Sequence, residues 1–375
     1  MAGASALLRQ FASRYPAYGT PRVWRAPGRV NLIGEHTDYN LGLVLPMAIN
    51  MACRVAAAPS NDGFLRVYSE QLCAGSQWRI GDIPHASPVG DWTDRVVGIA
   101  WELVRRGFPL RGANLLIDSE VPLGSGLSSS AALGVSLALA LGGPREPLEL
   151  AQVARAAEMD FVGVPCGIMD QFIAASGKEG SAVLLDCRSL ESRVVTLPSE
   201  IAIVTANSMV KHQLGDSAYR TRVEECAEAS RMLGIRSLRD AELGRLGSLE
   251  GALFKRARHV VTENARVERF VEASEAGNVT EMGRLMNESH VSLRDDYEVS
   301  CEELDFLTET ALDVEGVYGA RMVGGGFGGS TVNLASTDAV ERLEAALTSE
   351  YRKTFGLTPE VHVCVASAGA SEIFF

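Results

Sequence analysis

From Val121 to Pro144 the chain carries no charged side chain. An uncharged run of this length is long enough for a membrane span, so the segment must either cross a bilayer or be buried within protein. Its first half decides the matter. Pro122, Gly124, Gly126 and Ser128 to Ser130 interrupt it and leave only about a dozen apolar residues, which suits a buried helix around Ala131 to Leu141 entered through a Gly/Ser turn. No transmembrane segment is expected. The N-terminal stretch Met1 to Arg9 also lacks the basic start and long apolar run of a secretory signal.

A buried helix needs a lobe to bury it. The chain has 375 residues, 46% of them apolar and 22% charged, enough for two or three lobes with their own cores and for a cleft between them. The net charge of −12 opposes non-specific binding to nucleic acid or anionic lipid. An anionic substrate would therefore need local devices such as helix N-termini, a few arginines or a metal. The seven cysteines (53, 73, 166, 187, 226, 301 and 364) are odd in number, widely spaced and without a Cys-x-x-Cys pair. That pattern predicts reduced thiols in a cytoplasmic protein.

Patterning gives strand, loop and strand over 22–60, with strands at 44–49 and 54–58, and a short strand at 114–117 before the Gly/Ser turn. A helix follows at 148–161, then strands at 182–185, 194–197 and 201–205. Beyond these, apolar residues recur at helical spacing over 217–234, 253–276, 279–290 and 301–314. The chain closes with 319–323, a glycine loop, a strand at 331–334, a helix at 339–355 and a strand at 361–365. The expected class is α+β, divided into an N-terminal lobe over 1–200 and a helix-rich C-terminal lobe over 201–375.

Four clusters carry the chemistry. In residues 25–40, Arg29, Asn31, Glu35, His36, Asp38 and Asn40 crowd between two apolar strands. Burying so many polar groups without partners is costly; a polyhydroxylated ligand would satisfy them, and a solvated turn would explain them equally well. Pro122, Leu123, Gly124, Ser125, Gly126, Leu127, Ser128, Ser129 and Ser130 place a Gly/Ser loop between strand and helix, an arrangement that cradles phosphate or simply caps the helix. It is not a Walker A loop. Val323 to Ser330 has five glycines in six positions, suited to close approach of a ligand or another main chain. Finally, Asp170 is the lone charge between Phe161 and Gly177, either a helix cap or an active-site group, and Glu158 twelve residues earlier could offer oxygen to Mg²⁺.

In this order the clusters resemble the GHMP family of small-molecule kinases and, within it, the galactokinases. The residues that carry the likeness are 28–40, 122–132, 166–171, Asn207 to Leu214 with Tyr219, and 324–329. The resemblance implies two lobes, the first of ribosomal-S5 type with a left-handed crossover, and an active site between them. It implies transfer of the γ-phosphoryl of MgATP to the anomeric hydroxyl of D-galactose. Asp170 would stand beside that hydroxyl, with Arg29 holding its carboxylate ionised and positioning phosphate. Glu35, His36, Asp38, Gly167 and Tyr219 would bind the other hydroxyls, 122–130 the ATP phosphates, and Ser130 and Glu158 Mg²⁺. Phosphoryl transfer asks mainly for alignment and charge neutralisation, which such a set supplies.

Ser125, Val323 and Trp92-Thr93-Asp94 depart from the family pattern, where glycine, threonine and Trp-Asn-Tyr are common. The last departure weakens Trp92 as part of an adenine pocket. Thr37 to Asn40 favours galactose over its N-acetylated amine. A non-catalytic sugar sensor would lack a Ser-Ala in the phosphate loop, which is complete here, and no dinucleotide fingerprint supports an oxidoreductase. Oligomeric state is not legible; a monomer suffices.

Overall fold

The computed structural model describes residues 2–17, 19–211 and 215–374. Residues 212–214, within one of the motif segments above, lie outside them. In chain order the elements are α1 (Ala2–Arg14), β1 (Arg22–Asn31), β2 (Leu43–Val44), β3 (Pro46–Pro59), β4 (Phe64–Ser69), β5 (Ala74–Arg79), α2 (Asp94–Arg105), β6 (Ala113–Ser119), α3 (Ser129–Ala140), α4 (Pro147–Ala156), α5 (Met169–Ser176), β7 (Ser181–Asp186), β8 (Ser192–Thr196) and β9 (Ile201–Lys211). They continue with α6 (Gly215–Leu233), α7 (Gly251–Glu275), α8 (Val279–Asp295), α9 (Glu302–Leu312), β10 (Val317–Val323), β11 (Gly328–Ser336), α10 (Val340–Phe355), β12 (Glu360–Cys364) and β13 (Ser371–Ile373).

The uncharged run becomes α3, apolar on all sides, packed against β1 and β3 with α2, α4 and α5 around it. No helix among the described residues is long and apolar enough to cross a membrane. The sheet beneath α3 has the order β13-β1-β3-β6-β4-β5, antiparallel except for the β4–β6 pair. Its other face is covered by α1 through Leu7 and Phe11. An antiparallel sheet β10-β11-β9-β12 carries α8, α9 and α10, and a small sheet β2-β7-β8 rests on α7. One apolar core runs through both halves, because Ile203, Val323, Val332 and Leu334 pack in the same cluster as Ala132 and Val135.

Three local differences from the sequence reading have physical causes. The two short strands at 44–49 and 54–58 are one strand, β3, whose exposed Asn50 and half-buried Met51 break the apolar pattern without breaking the pairing. The helix at 148–161 stops at Ala156 and widens into a π turn over Ala157–Val162, closed by Gly163 at φ +80°. Glu158 sits in that wide turn, a deviation often found at functional sites. The C-terminal β13 returns to pair with β1, adding an edge strand to the first sheet.

Candidate active site

A bulge in β1 sets the site. Pairing with β3 shifts register between Pro27 and Arg29. At Gly28 a side chain would bring a Cβ within 2.7 Å of the Leu127 carbonyl, so the Gly/Ser loop docks directly on the strand. The Arg29 amide donates to that carbonyl at 3.1 Å, and its guanidinium donates to the Gly126 carbonyl. Arg29 Nε and Nη2 each reach an oxygen of Asp170 at 2.8 Å, a two-pronged ion pair with Arg29 buried and Asp170 half-buried. Asp170 lies in the first turn of α5 and does not cap it.

Ser128 precedes α3 without capping it. It holds a left-handed φ of +63°, makes no capping bond to α3, and donates its hydroxyl to Asp170. The first amides of α3 thus have no side-chain cap and keep their partial positive charge. The loop is braced from behind by the third glycine cluster. Gly126 and Gly324 approach so closely that a Cβ on Gly324 would fall 3.1 Å from the Gly126 carbonyl, and Ser330 donates to the Ser125 carbonyl at 2.5 Å. Ser125 tolerates its departure from glycine by donating to the Pro122 carbonyl at 2.9 Å.

Two cavities meet at this wall. The first, about 380 Å³, is lined by Arg29, Glu35, His36, Asp38, Gly167, Asp170 and Tyr219, so the sugar set expected from sequence converges on one space. Gly167 faces Asp38 so closely that a Cβ would overlap its carboxylate at 1.7 Å. The second cavity, about 300 Å³ and largely apolar, is lined by Leu123, Gly124, Ser129 and Ser130 together with Trp92, Val121 and Leu133. Trp92 therefore lies on its wall despite the altered residues after it. Glu158 lines neither cavity; it accepts from Gln171 at 2.9 Å and stands 3.8 Å from Arg95.

Burial dominates the electrostatics. It raises the Asp38 carboxyl to about 7, helped by the negative charge of Asp170. It lowers the His36 imidazole to about 3, so His36 is a neutral hydrogen-bonding group, its Nδ1 2.9 Å from the Tyr39 hydroxyl. Burial also pushes the Glu35 and Glu158 carboxyls up, against the pull of Arg321 and Arg29 on the one and of Arg95 on the other.

A scan of the chain against protein-family models matches the galactokinase galactose-binding signature at residues 9–59, the GHMP kinase N-terminal domain at 94–178 and the GHMP kinase C-terminal domain at 270–353. A galactokinase from Chloroflexus aurantiacus is 46% identical over 96% of both chains, and one from Mannheimia succiniciproducens 41% identical over 92% of this chain and 93% of its own. The chain belongs to the galactokinase family. A solved galactokinase from Lactococcus lactis, complexed with galactose, superposes with a TM-score of 0.93 at 35% identity, covering 99% of this chain and all of the other. Methanococcus jannaschii mevalonate kinase shares the fold alone, with a TM-score of 0.69 at 17% identity over 93% and 99% of the two chains. Membership of a kinase family carries ATP use with it.

Within this galactokinase-family site, several residues escape a motif reading. Arg321, fully buried on β10, pairs with Glu35 at 2.9 Å and donates to the carbonyls of Asn31, Leu32 and Met322. From α7, Glu263 accepts the amides of Gly34 and Glu35 at 3.0 and 3.3 Å, Asn264 accepts that of Leu43 at 2.7 Å, and His259 Nε2 lies 3.0 Å from the Glu35 carbonyl. Spacing marks only a shared helix face, since His259, Glu263 and Arg266 recur at i, i+4 and i+7; the fold turns that face inward.

Proposed function

We propose that this chain transfers the γ-phosphoryl group of MgATP to the anomeric hydroxyl of α-D-galactose, giving galactose 1-phosphate and ADP. The observation that carries the reading is the Arg29–Asp170 pair, tied through Ser128 and Gly126 to the phosphate loop at the join of the two cavities. The 0.93 TM-score to a galactokinase complexed with galactose supports the sugar assignment.

In this reading the first cavity takes galactose and the second the adenine end of ATP, with Trp92 against the base. The lobes divide at 200/201, and the site lies where their motifs meet. Asp170, its two oxygens engaged by Arg29 and Ser128, orients and polarises the anomeric hydroxyl, and Arg29 adds positive charge where phosphate charge develops. Glu35, His36, Asp38, Gly167 and Tyr219 bind the remaining hydroxyls. Residues 122–130 and the uncapped start of α3 hold the phosphates. Ser130 and Glu158 would hold Mg²⁺. The carboxylate is nearly buried beside that hydroxyl, and a hard-oxygen pair fits an ion that keeps its waters and takes phosphate oxygens. Bound there, the ion would neutralise phosphate charge. A cytoplasmic setting fits seven cysteines that form no disulfide.

Measuring ADP release from ATP across a panel of hexoses tests the proposal. Galactose should be turned over, and glucose, which offers Asp38 and Tyr219 an equatorial rather than an axial hydroxyl, should have kcat/KM lower by up to about 10⁴-fold. Comparable values for the two sugars would sink the assignment.

A further inference from the structure

Arg95 lines both cavities, at the wall between them. It is the second residue of α2, and the start of that helix is fixed. The Asp94 carboxylate accepts the amides of Val89 and Gly90 at 2.8 and 2.7 Å, and Asp91 accepts the amide and hydroxyl of Thr93 at 2.7 and 2.6 Å. The side chain is 35% exposed, and the acid it faces, Glu158, is 3.8 Å away, beyond a hydrogen bond.

The other described arginines on these walls are already engaged. Arg29 is held by Asp170 and Gly126, and Arg220 donates to the Gly163 carbonyl at 3.2 Å. The Arg95 guanidinium makes no hydrogen bond among the described residues. Glu158 is only a loose counter-ion, so the donors of a rigid guanidinium fork stay available to an anionic ligand. A nucleotide with its base against Trp92 and its end phosphate at Asp170 must carry its phosphates past this group.

We propose that Arg95 binds the terminal phosphate of the nucleotide, as a second cation beside Arg29, and thereby sets the preference for triphosphate over diphosphate. The inference rests on the nucleotide placement given above. It assigns the adenine cavity no part in that preference and leaves galactose binding independent of Arg95.

Calorimetry of ATP, ADP and adenosine on the full chain, with EDTA present so that no metal contributes, tests this directly. Arg95→Gln should weaken ATP roughly 10- to 100-fold, the loss of one charge-assisted hydrogen bond, while ADP and adenosine change by less than about threefold. Arg95→Lys, which keeps the charge, should recover most of the loss. Galactose affinity, measured alongside, should be unchanged in both variants. An equal loss for ATP and ADP, or none, overturns the proposal. A shared loss of galactose affinity also overturns it, and assigns Arg95 to holding Glu158 in place. If the unsubstituted chain binds galactose but no adenine nucleotide either in EDTA or with Mg²⁺ restored, the nucleotide placement itself fails, a distinct result.

Discussion

Asp38 and Asp170 share one cavity and have opposite settings. Asp170 is supplied with three side-chain donor contacts, whereas the Asp38 carboxylate receives, among the described residues, only the amide of Tyr39 at 2.9 Å and is pushed up to about 7 by burial and by Asp170. Galactose hydroxyls that donate to Asp38 favour its ionised form, so binding should strengthen as pH rises through about 7 and should release protons. Calorimetry between pH 6 and 8 in buffers of different ionisation enthalpy reads both effects; a pH-independent affinity without proton release would contradict them. The sign for stability is the reverse. The unfolded chain ionises near the usual carboxylate value while the folded chain holds the proton to about 7, so stability falls as pH rises between the two. Asp38→Asn should accordingly raise Tm by about a few degrees at pH 8, far less at pH 4, and abolish galactose binding. For Asp170→Asn, folding and galactose affinity should survive while single-turnover transfer slows roughly 10²- to 10⁴-fold. Near-normal transfer would leave Asp170 only its ion pair.

The loop between β1 and β3 shows how an element without a hydrogen-bond ladder is held in shape. Besides a short 3₁₀ turn at Asp38–Asn40, the two residues of β2 and its own bonds from Thr37 to the Gly34 and Leu43 carbonyls and from Asn40 to the His36 carbonyl, it is held by α7 and β10, which supply Glu263, Asn264, His259 and Arg321 to its amides, carbonyls and Glu35. Glu263 is fully buried, which opposes its charge, yet Arg266, His259 and Arg321 hold its carboxyl at about 2. Arg321→Met should cost about 3–5 kcal/mol, because it leaves the Glu35 charge buried without its partner, and should weaken galactose binding. Adding Glu35→Leu should recover part of the stability and none of the binding. Chemical denaturation paired with sugar titration distinguishes the two; binding that recovers in the double variant would show that Glu35 does not read the sugar.

Across the whole molecule, legibility followed locality. Arg29 to Asn40, 122–130, 163–171 and 324–329 are contiguous clusters whose residue types announce their chemistry, and the long apolar α3 and the helices α6 to α10 announce themselves by period. The Arg29–Asp170 bond spans 141 positions and is invisible to spacing. Arg321 reads as an ordinary strand residue, and the inward polar face of α7 looks like a solvated one, because periodicity reports a face and not what it meets. Strands β4, β5 and β13 and helix α1 are short or weakly patterned and gain their form from the sheet they join. If these distant groups serve one reaction, they converge on one oxygen of one sugar. Phosphorus NMR of the product formed from galactose and ATP tests that claim most directly. An α-anomeric sugar phosphate as sole product is the predicted result, and a phosphate on the 6-oxygen, or ATP hydrolysed without sugar phosphate, would contradict it.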